Sequence, residues 1–427
     1  MTLYTHIRKY AFALLAIALL LCSCRKSYPG IEYIEEEILL KDEYNKIPII
    51  VAVDDPLMIS TSRGVGPLDD SDDESDAYKK WISTKFYVYA FLARNSKYIG
   101  PVDYRATMNA SDEEDIFCLV SDTAATGHGK CARMNSDMSH HITWENENEI
   151  LYYNLTYQDY RYNFFAYHID DAAINGIKKE RDNVELDLTI DGSQDLMVGV
   201  AAPTAKQIDK LCEDSKWTAA RIHDLAYSTT TGHRDVVPVI AMEHLLSRFS
   251  FKLTGRHEEA ANISVHNIYV KSKNRGLMTV AADDTTRLGL IFPDSLNPIR
   301  DEWATLYLPI IEDDTMRTDG FTKKYNVTLD STYVIGEDIL LPAGETFTLV
   351  LECTQTEINK VTQDTTIISF PAKYDLKLTG GKQFEPGVKY IVNVNVYGMQ
   401  KIDIMIDGIG WIQGEEFELG EGNILPF

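Results

Sequence analysis

The sequence predicts an all-β fold made of antiparallel β-sandwiches, and three features of the chain lead to that prediction. Many short segments alternate apolar and polar residues with a period of two, as half-buried strands do. Turn-forming residues separate these segments at short intervals, which is typical of sandwiches. The 427 residues also exceed what one hydrophobic core usually supports, so we expect two domains.

The chain is predicted to begin with a lipoprotein signal peptide, residues 1–23. Two basic residues precede the apolar run Ala11–Leu21, which is too short for a permanent membrane helix. The run ends in a segment that resembles a bacterial lipobox. Cys24 is the expected lipidation site because small Ser23 precedes it, whereas bulky Leu21 precedes Cys22. An ordinary secretory signal with a chance cysteine is the alternative.

The charge of the chain excludes some partners. The formal net charge is −24 and becomes −26 once residues 1–23, which carry two basic and no acidic residues, are removed. Such an acidic protein is not expected to bind nucleic acid or to dock electrostatically on anionic lipid headgroups. A lipid anchor on Cys24 would instead hold it at the outer membrane through buried methylene groups.

The first domain is expected to begin with an unusual arrangement of strand and tether. Residues 24–45 form an acidic spacer, and Lys46–Gly64 contains a strand followed by a flexible segment with one basic residue, Arg63. The acidic run Asp69–Asp76 comes next. It lacks the glycine and the distal glutamate of a calcium loop, so a solvated linker is the favoured interpretation.

The segment Val184–Ile190 shows the alternation most clearly, with Val184, Leu186, Leu188 and Ile190 on one predicted face. The other predicted strands are Lys85–Ala93, Glu149–Tyr157, Asn163–Ile169, Arg248–Gly255, Lys324–Asp330, Glu345–Cys353 and Lys389–Gly398.

One helical region is predicted to interrupt the strands, from Thr204 to about Tyr227. Thr204 and Gln207 have the spacing of a capping box, and a polar loop is expected to follow the helix.

We place the domain boundary near Met242–Ser247, which divides the chain into domains 46–244 and 245–427. Turns that lead into strands are predicted at Leu341–Phe347 and Phe384–Tyr390.

No pattern in the sequence indicates catalysis, a cofactor or a metal site. The segment Gly127–Cys131 lacks the residues of a phosphate-binding loop, and adjacent His140 and His141 would face opposite sides of a strand. The cysteines outside the signal region are too few for a disulfide framework; Cys118 and Cys131 could pair, but free thiols are at least as well supported. Leu151–His168 holds six Tyr and two Phe, which favours core packing and leaves a sugar-binding platform as an alternative.

Four segments of the chain resemble the fimbrillin family, lipoproteins of Bacteroidales that build type V pili. The segment Met242–Leu253, MEHLLSRFSFKL, is the most specific, and it is expected to point Phe249, Phe251 and Leu253 into a core. The other three are STSRG before the strand at residue 85, Asp195–Thr204, and the closing pair Phe384–Gly398 and Asp407–Glu416.

This resemblance implies two tandem transthyretin-like β-sandwich domains, export as a lipoprotein and assembly by donor-strand exchange. A protease would cut between Arg63 and Gly64, and a strand from another pilus subunit would replace the one removed. Ile47, Ile49 and Val51, or alternatively Ile50 and Val53, would fill the first sandwich until then. Arg63 could equally be an ordinary surface residue.

The C-terminal tail departs from the pattern of family stalk subunits. Phe417 and Leu419 are followed by Gly420 and Gly422, which weaken strand pairing. This departure argues against a repeating stalk role and leaves anchor, accessory and tip positions open. The predicted function is that of a pilus subunit without enzymatic activity. The alternative is a surface lipoprotein that works alone and binds a glycan or another host ligand.

Overall fold

The computed structural model describes residues 47–54, 84–410 and 416–417, with short gaps at 95–97, 99, 109–115, 123–126, 135–140, 147–149, 298, 313–314 and 321–322. These residues all belong to one compact unit, Ile47–Phe427. Cys24, Arg63, Gly64 and the acidic run Asp69–Asp76 lie outside them.

The strands and helices up to the junction at Leu245 are β1 Ala52–Asp54, β2 Lys85–Leu92, β3 Cys118–Val120, β4 Lys130–Met134, β5 Ile142–Trp144, β6 Tyr162–His168, β7 Ala173–Lys179, β8 Asn183–Thr189, β9 Met197–Ala201, α1 Ala205–Cys212, α2 Ala219–Asp224, α3 Thr229–Gly232 and β10 Val239–His244.

The strands after the junction are β11 Leu246–Gly255, β12 Ile263–Ser272, β13 Arg275–Ala282, β14 Gly289–Ile291, β15 Ala304–Tyr307, β16 Ile310–Glu312, β17 Thr315–Arg317, β18 Tyr325–Asn326, β19 Thr332–Pro342, β20 Phe347–Ile358, β21 Thr365–Leu376, β22 Val388–Gly398, β23 Lys401–Gly410 and β24 Glu416–Phe417. Single 3-10 turns lie at Glu258–Asn262, Thr285–Arg287, Arg300–Glu302 and Thr379–Gly381.

Two sheets enclose the first hydrophobic core. Sheet A has the order β1-β10-β9-β6-β2-β4-β5, with β3 also beside β2, and sheet B has the order β14-β13-β8-β7. Sheet A supplies Phe86, Val88 and Phe164 to this core, and sheet B supplies Leu186 and Met278. The alternation predicted for Val184–Ile190 is confirmed, since the four apolar residues of that segment are buried.

Two further sheets enclose the second core. Sheet C has the order β19-β11-β22-β23-β24, and sheet D has the order β15-β12-β20-β21 with β18 beside β12. Phe249, Phe251 and Leu253 are buried here, as the sequence predicted. The prediction of an all-β fold is confirmed, and the described strand pairs are antiparallel except for β1 with β10 and β11 with β22.

The chain crosses between the two cores more than once. It passes from β10 to β11 through Leu245 alone, and strand β12 of sheet D continues through two residues into β13 of sheet B. Strands β13 and β14 therefore follow residue 245 in sequence but pair within the sheet that contains β8. The division of the chain at residue 245 stays a prediction.

A buried ion pair ties three strands of sheet C together. Arg248 on β11 donates from Nε to Asp338 on β19, and their side chains are 2% and 8% exposed. Lys389 on β22 places its Nζ 3.3 Å from the same carboxylate. Charges removed from water are stabilised only when they are paired and hydrogen-bonded, so Asp338 matters to both cations.

Some predictions of single elements are wrong. Within Glu149–Tyr157 the described residues make only an isolated bridge at Tyr152 and no strand, and Lys324–Asp330 contains only the two residues of β18. The predicted polar loop after the helical region contains α3, whose three threonines are buried.

The capping box is confirmed, since the Thr204 side chain accepts from the Gln207 amide at 3.2 Å and the Gln207 side chain accepts from the Thr204 amide at 3.0 Å.

The four cysteines in the described part of the chain form no disulfide. Cys118 lies opposite Phe91 and Cys131 lies opposite Tyr87 along the same edge of β2. Four residues of strand separate them by about 13 Å, which is too far for a disulfide. Burial raises the pKa of the Cys353 thiol to about 12 and keeps it protonated.

Candidate functional site: the groove of the first strand

The first strand inserts its side chains into the first core. Ile49, Val51 and Val53 are 5%, 1% and 0% exposed, and Ile47 packs against the same core at its edge. Ile50 is 42% exposed. Because side chains alternate along a strand, Val53 lies on the same core-facing side as Ile49 and Val51. The sequence-based alternative, in which Ile50 and Val53 together face the core, is wrong.

One edge of this strand pairs with β10. The pairing is parallel, with Ala52 opposite Val239 and Asp54 opposite Ala241. The Ala52 amide donates to the Pro238 carbonyl at 2.8 Å. Since β10 is bonded on its other edge to β9, the first strand extends sheet A by one position.

The opposite edge of the first strand is also hydrogen-bonded. The Ile142 amide donates to the Val51 carbonyl at 3.0 Å, and Ala52 bridges His141. Further along, the Ile49 amide donates to the Leu151 carbonyl at 2.8 Å, and the Tyr153 amide donates to the Ile47 carbonyl at 3.1 Å. Residues 47–54 thus fill a space between residues 238–241 and residues 141–142 and 151–153, which we call the first-strand groove.

This arrangement brings the two ends of sheet A together. Strand β10 and strand β5 are far apart in the order of the sheet, yet each contacts the first strand. Without residues 47–54, backbone groups on both sides of the groove would lose their partners, and three apolar pockets would be open to water. Both changes are costly, so the groove requires an occupant.

The helical region covers one end of the first-strand groove. The Thr229 hydroxyl donates to the Asn154 carbonyl at 2.6 Å, and the Thr230 hydroxyl donates to the Asp159 carboxylate at 2.6 Å. The Thr230 amide also donates to the Gln158 carbonyl at 3.1 Å. These bonds attach α3 to the loop that carries Leu151 and Tyr153, and they explain why Thr229 and Thr230 are buried.

Replacing Gly232 by valine is expected to destabilise this end of the groove. A Cβ atom at Gly232 would lie 3.1 Å from the Tyr153 ring and 3.3 Å from Ile47 Cγ2, so a larger side chain forces both residues to move. Overpacking of this kind costs about 1–3 kcal/mol. Chemical denaturation measures the loss. Gly176→Val is the matched control because nothing lies within 4 Å of that Cβ position; equal stability of the two variants would contradict the packing described.

The aromatic stretch Leu151–His168 is divided between core and surface. Five of its aromatic residues are buried in the first core, which are Tyr153, Tyr162, Phe164, Phe165 and Tyr167. Burial raises the pKa of the Tyr153 and Tyr227 hydroxyls. Outside the core, Tyr157 and Tyr160 stack with ring centroids 4.7 Å apart, and Tyr98 meets Tyr160 edge-on at 5.8 Å. A surface platform is therefore limited to this small cluster.

Three of the segments that carry the sequence resemblance meet at the junction of the two sandwiches. His244 Nδ1 lies 3.0 Å from one carboxylate oxygen of Asp195, and both side chains are buried. The Leu245 amide donates to the Leu196 carbonyl at 2.9 Å, and the Gly387 amide donates to the Leu246 carbonyl at 3.0 Å. The junction is thus fixed by hydrogen bonds that join distant parts of the chain.

The structure brings Ile47, Ile49 and Val51 together in the groove, whereas Cys24, Arg63 and Gly64 lie outside the described residues. Within the described ranges no group of three or more His, Cys, Asp and Glu side chains could hold a metal ion. No helix in that part of the chain is long and apolar enough to cross a membrane.

Fold and site together define a β-sandwich protein whose first strand occupies a groove formed by later segments. No protein-family profile matches the chain, and no curated protein matches it.

A candidate cell adhesion protein of Bacteroides uniformis has 10% identity and a TM-score of 0.42, covering 87% of this chain and 100% of its own. A second candidate, from Bacteroides ovatus, has 11% identity and a TM-score of 0.37, covering 89% and 99%. The fimbrial anchor protein Mfa2 of Porphyromonas gingivalis has 10% identity and a TM-score of 0.33, covering 88% and 100%.

Proposed function

We propose that this chain is a structural subunit of a surface pilus, that it is exported as a lipoprotein through Cys24, and that it assembles by donor-strand exchange. The observation that carries the proposal is the first strand in its groove. Ile49, Val51 and Val53 fill the core, while the backbone is hydrogen-bonded on both edges. The resemblance of Met242–Leu253 and the other quoted segments to fimbrillins supports it independently.

The groove has the properties that strand exchange requires. Its occupant provides a row of backbone donors and acceptors together with alternate apolar side chains, which is the β-augmentation mode of recognition. Because the occupant is the first described segment of the chain, one cut after it would separate it from the rest of the fold. The proposed cut lies between Arg63 and Gly64, in the flexible segment predicted to follow the first strand within Lys46–Gly64.

The proposed partners are other pilus subunits, and the proposed location is the outer surface of the cell with the lipid on Cys24 in the outer membrane. The role is non-enzymatic. The proposal covers a stalk, anchor, accessory or tip position in the pilus.

A second candidate function is supported by the surface cluster of Tyr98, Tyr157 and Tyr160. Aromatic rings with an exposed polar end suit sugar rings, so a lipoprotein that binds glycans and works alone is the alternative. The two functions differ in a simple way. A glycan-binding monomer keeps residues 46–63 and stays monomeric after protease treatment, whereas a pilus subunit loses them and forms SDS-resistant oligomers.

Labelling and sequencing of native material test the pilus proposal. Immunogold electron microscopy with an antibody to this chain is expected to label filaments or their bases, and protein sheared from cells is expected to begin at Gly64. Label scattered over the envelope, together with an intact lipidated Cys24 on every copy, would contradict processing and assembly. A Cys24→Ala variant that still reached the surface would contradict the lipid anchor separately.

A further inference from the structure

We propose that a pocket at one end of the second sandwich binds a small anionic ligand through Lys377, Lys382 and the Gln383 amide beside them. The cavity measures about 540 Å³ and lies between the loop at residues 344–346 and the loop at residues 377–384. That volume falls in the range of small-molecule sites. The site is in the second core, apart from the first-strand groove, so it does not depend on the proposed assembly.

The pocket keeps its shape through one hydrogen bond and three glycines. The Gly344 amide donates to the Phe384 carbonyl at 2.7 Å and joins the two loops. Gly344, Gly380 and Gly381 have φ values of 80°, 71° and 72°, a conformation that favours glycine. No atom lies within 4 Å of a Cβ built at Gly380 or Gly381, so these glycines serve the backbone path and leave the mouth of the pocket open.

Two lysines line the pocket. Within the described part of the chain, Lys377 and Lys382 make no ion pair, and the Gln383 amide donates to no other described group. The single carboxylate in the lining belongs to Glu345, and it already accepts from Lys273 Nζ at 2.8 Å. Lys273 is also bound to Asp294 at 2.9 Å, outside the lining. A ligand that enters this pocket is therefore offered cations and N–H groups.

This arrangement selects for negative charge. Lysine ammonium groups bind phosphate, sulfate and carboxylate as point charges, and backbone amides exposed in a turn form concave anion sites. The chain as a whole carries a net charge of −24 and repels anions at long range. The two unpaired lysines thus place positive charge locally on an otherwise acidic protein. Their attraction for an anion must act at short range, and the affinity must fall as salt is added.

The ligand class is a molecule of monosaccharide size that bears a carboxylate, sulfate or phosphate group. Buried Leu378 and Phe384 line the pocket and give the body of such a ligand an apolar surface to contact. The same anionic group could come from a sugar acid, from a sulfated sugar or from a free inorganic anion. Four probes separate these sources: glucuronate, glucose 6-sulfate, inorganic sulfate and uncharged glucose.

Ligand-observed NMR titration of the soluble protein, residues 25–427, tests the proposal. We expect glucuronate or glucose 6-sulfate to bind, glucose to bind much more weakly, and the affinity to fall as salt rises. Binding of inorganic sulfate as tightly as of the sugars would show that only the anion is recognised. Equal binding of glucose and glucuronate, or no binding by any of the three anions, would overturn the proposal.

Paired charge variants locate the site. Lys377→Gln with Lys382→Gln is expected to lower the affinity for the anionic probe about tenfold or more, because both point charges are lost. Lys360→Gln, in the exposed turn between β20 and β21, removes a lysine elsewhere and is expected to change nothing. The melting temperature of the double variant should equal that of the parent, since neither lysine bonds another described residue. Unchanged affinity in the double variant would place the anion elsewhere.

Discussion

A chain that begins at Gly64, and therefore lacks the first strand, is expected not to keep a stable first sandwich by itself. Burial of an Ile or Val side chain contributes about 1.5–3 kcal/mol, and three such side chains enter the core from this strand. The hydrogen bonds on both edges would be lost as well. Their sum is comparable with the total stability of a domain, about 5–15 kcal/mol. Hydrogen exchange measures the loss, and sheet A should lose protection while sheets C and D keep it.

A matched pair of point variants separates the strand's core face from its outer face. Val51→Asp places a charge at a side chain that is 1% exposed and is expected to unfold the first core. Ile50→Asp makes the same chemical change at a side chain that is 42% exposed and is expected to have little effect. Equal melting temperatures for these two variants would mean that the strand does not occupy the groove as described.

Replacement of Asp338 by alanine is expected to be the most damaging single change in the second sandwich. The carboxylate that Arg248 and Lys389 share would be removed, and Arg248 would stay buried without it. Breaking a buried ion pair by removing one partner costs about 3–5 kcal/mol. Urea denaturation followed by circular dichroism gives the change in the free energy of unfolding.

The control for this prediction is an exposed pair on sheet B. Arg275 contacts Asp187 at 2.7 Å, with side chains 43% and 26% exposed, and such pairs contribute about 0–1 kcal/mol. The arginine holds the pKa of Asp187 below its usual value, so the small stabilisation is present at neutral pH and is lost as the pH falls through that lowered pKa. If Asp187→Ala and Asp338→Ala cost the same, burial of the Arg248 pair does not matter.

The strand pattern could be predicted because each sandwich face imposes a period of two on the sequence. Strands β2, β8, β11, β20 and β22 all follow such alternating segments. The segment Glu149–Tyr157 has the same alternation, but its described residues do not form a strand. Its residues contact the first strand and α3 instead of forming a continuous ladder, and this long-range partnership is not visible in local sequence.

The groove itself could be predicted only in part. The apolar residues of the first strand were evident, but the choice of face depends on register, and a shift of one residue exchanges the two faces. The parallel partner β10 lies almost two hundred residues later, so no local pattern reveals it. The buried threonines of α3 appeared as a polar loop because their partners are backbone carbonyls and a carboxylate near residues 154–159. Similarly, His244 and Asp195 each lie in a segment that the sequence singled out, but their contact, made across 49 residues of chain, was not evident.

Replacement of the first strand by a free peptide is the sharpest test of the proposed donor-strand assembly. A specific protease site in place of residues 60–64 of the soluble chain allows the tether to be cut, and a fluorescent peptide with the sequence of residues 46–55 then reports exchange by gel filtration. The peptide is expected to enter only after cleavage, and a peptide carrying Val51→Asp is expected not to enter. A cut chain that sheds residues 47–54 with its first sandwich intact, or that never exchanges them, would contradict the proposed strand exchange.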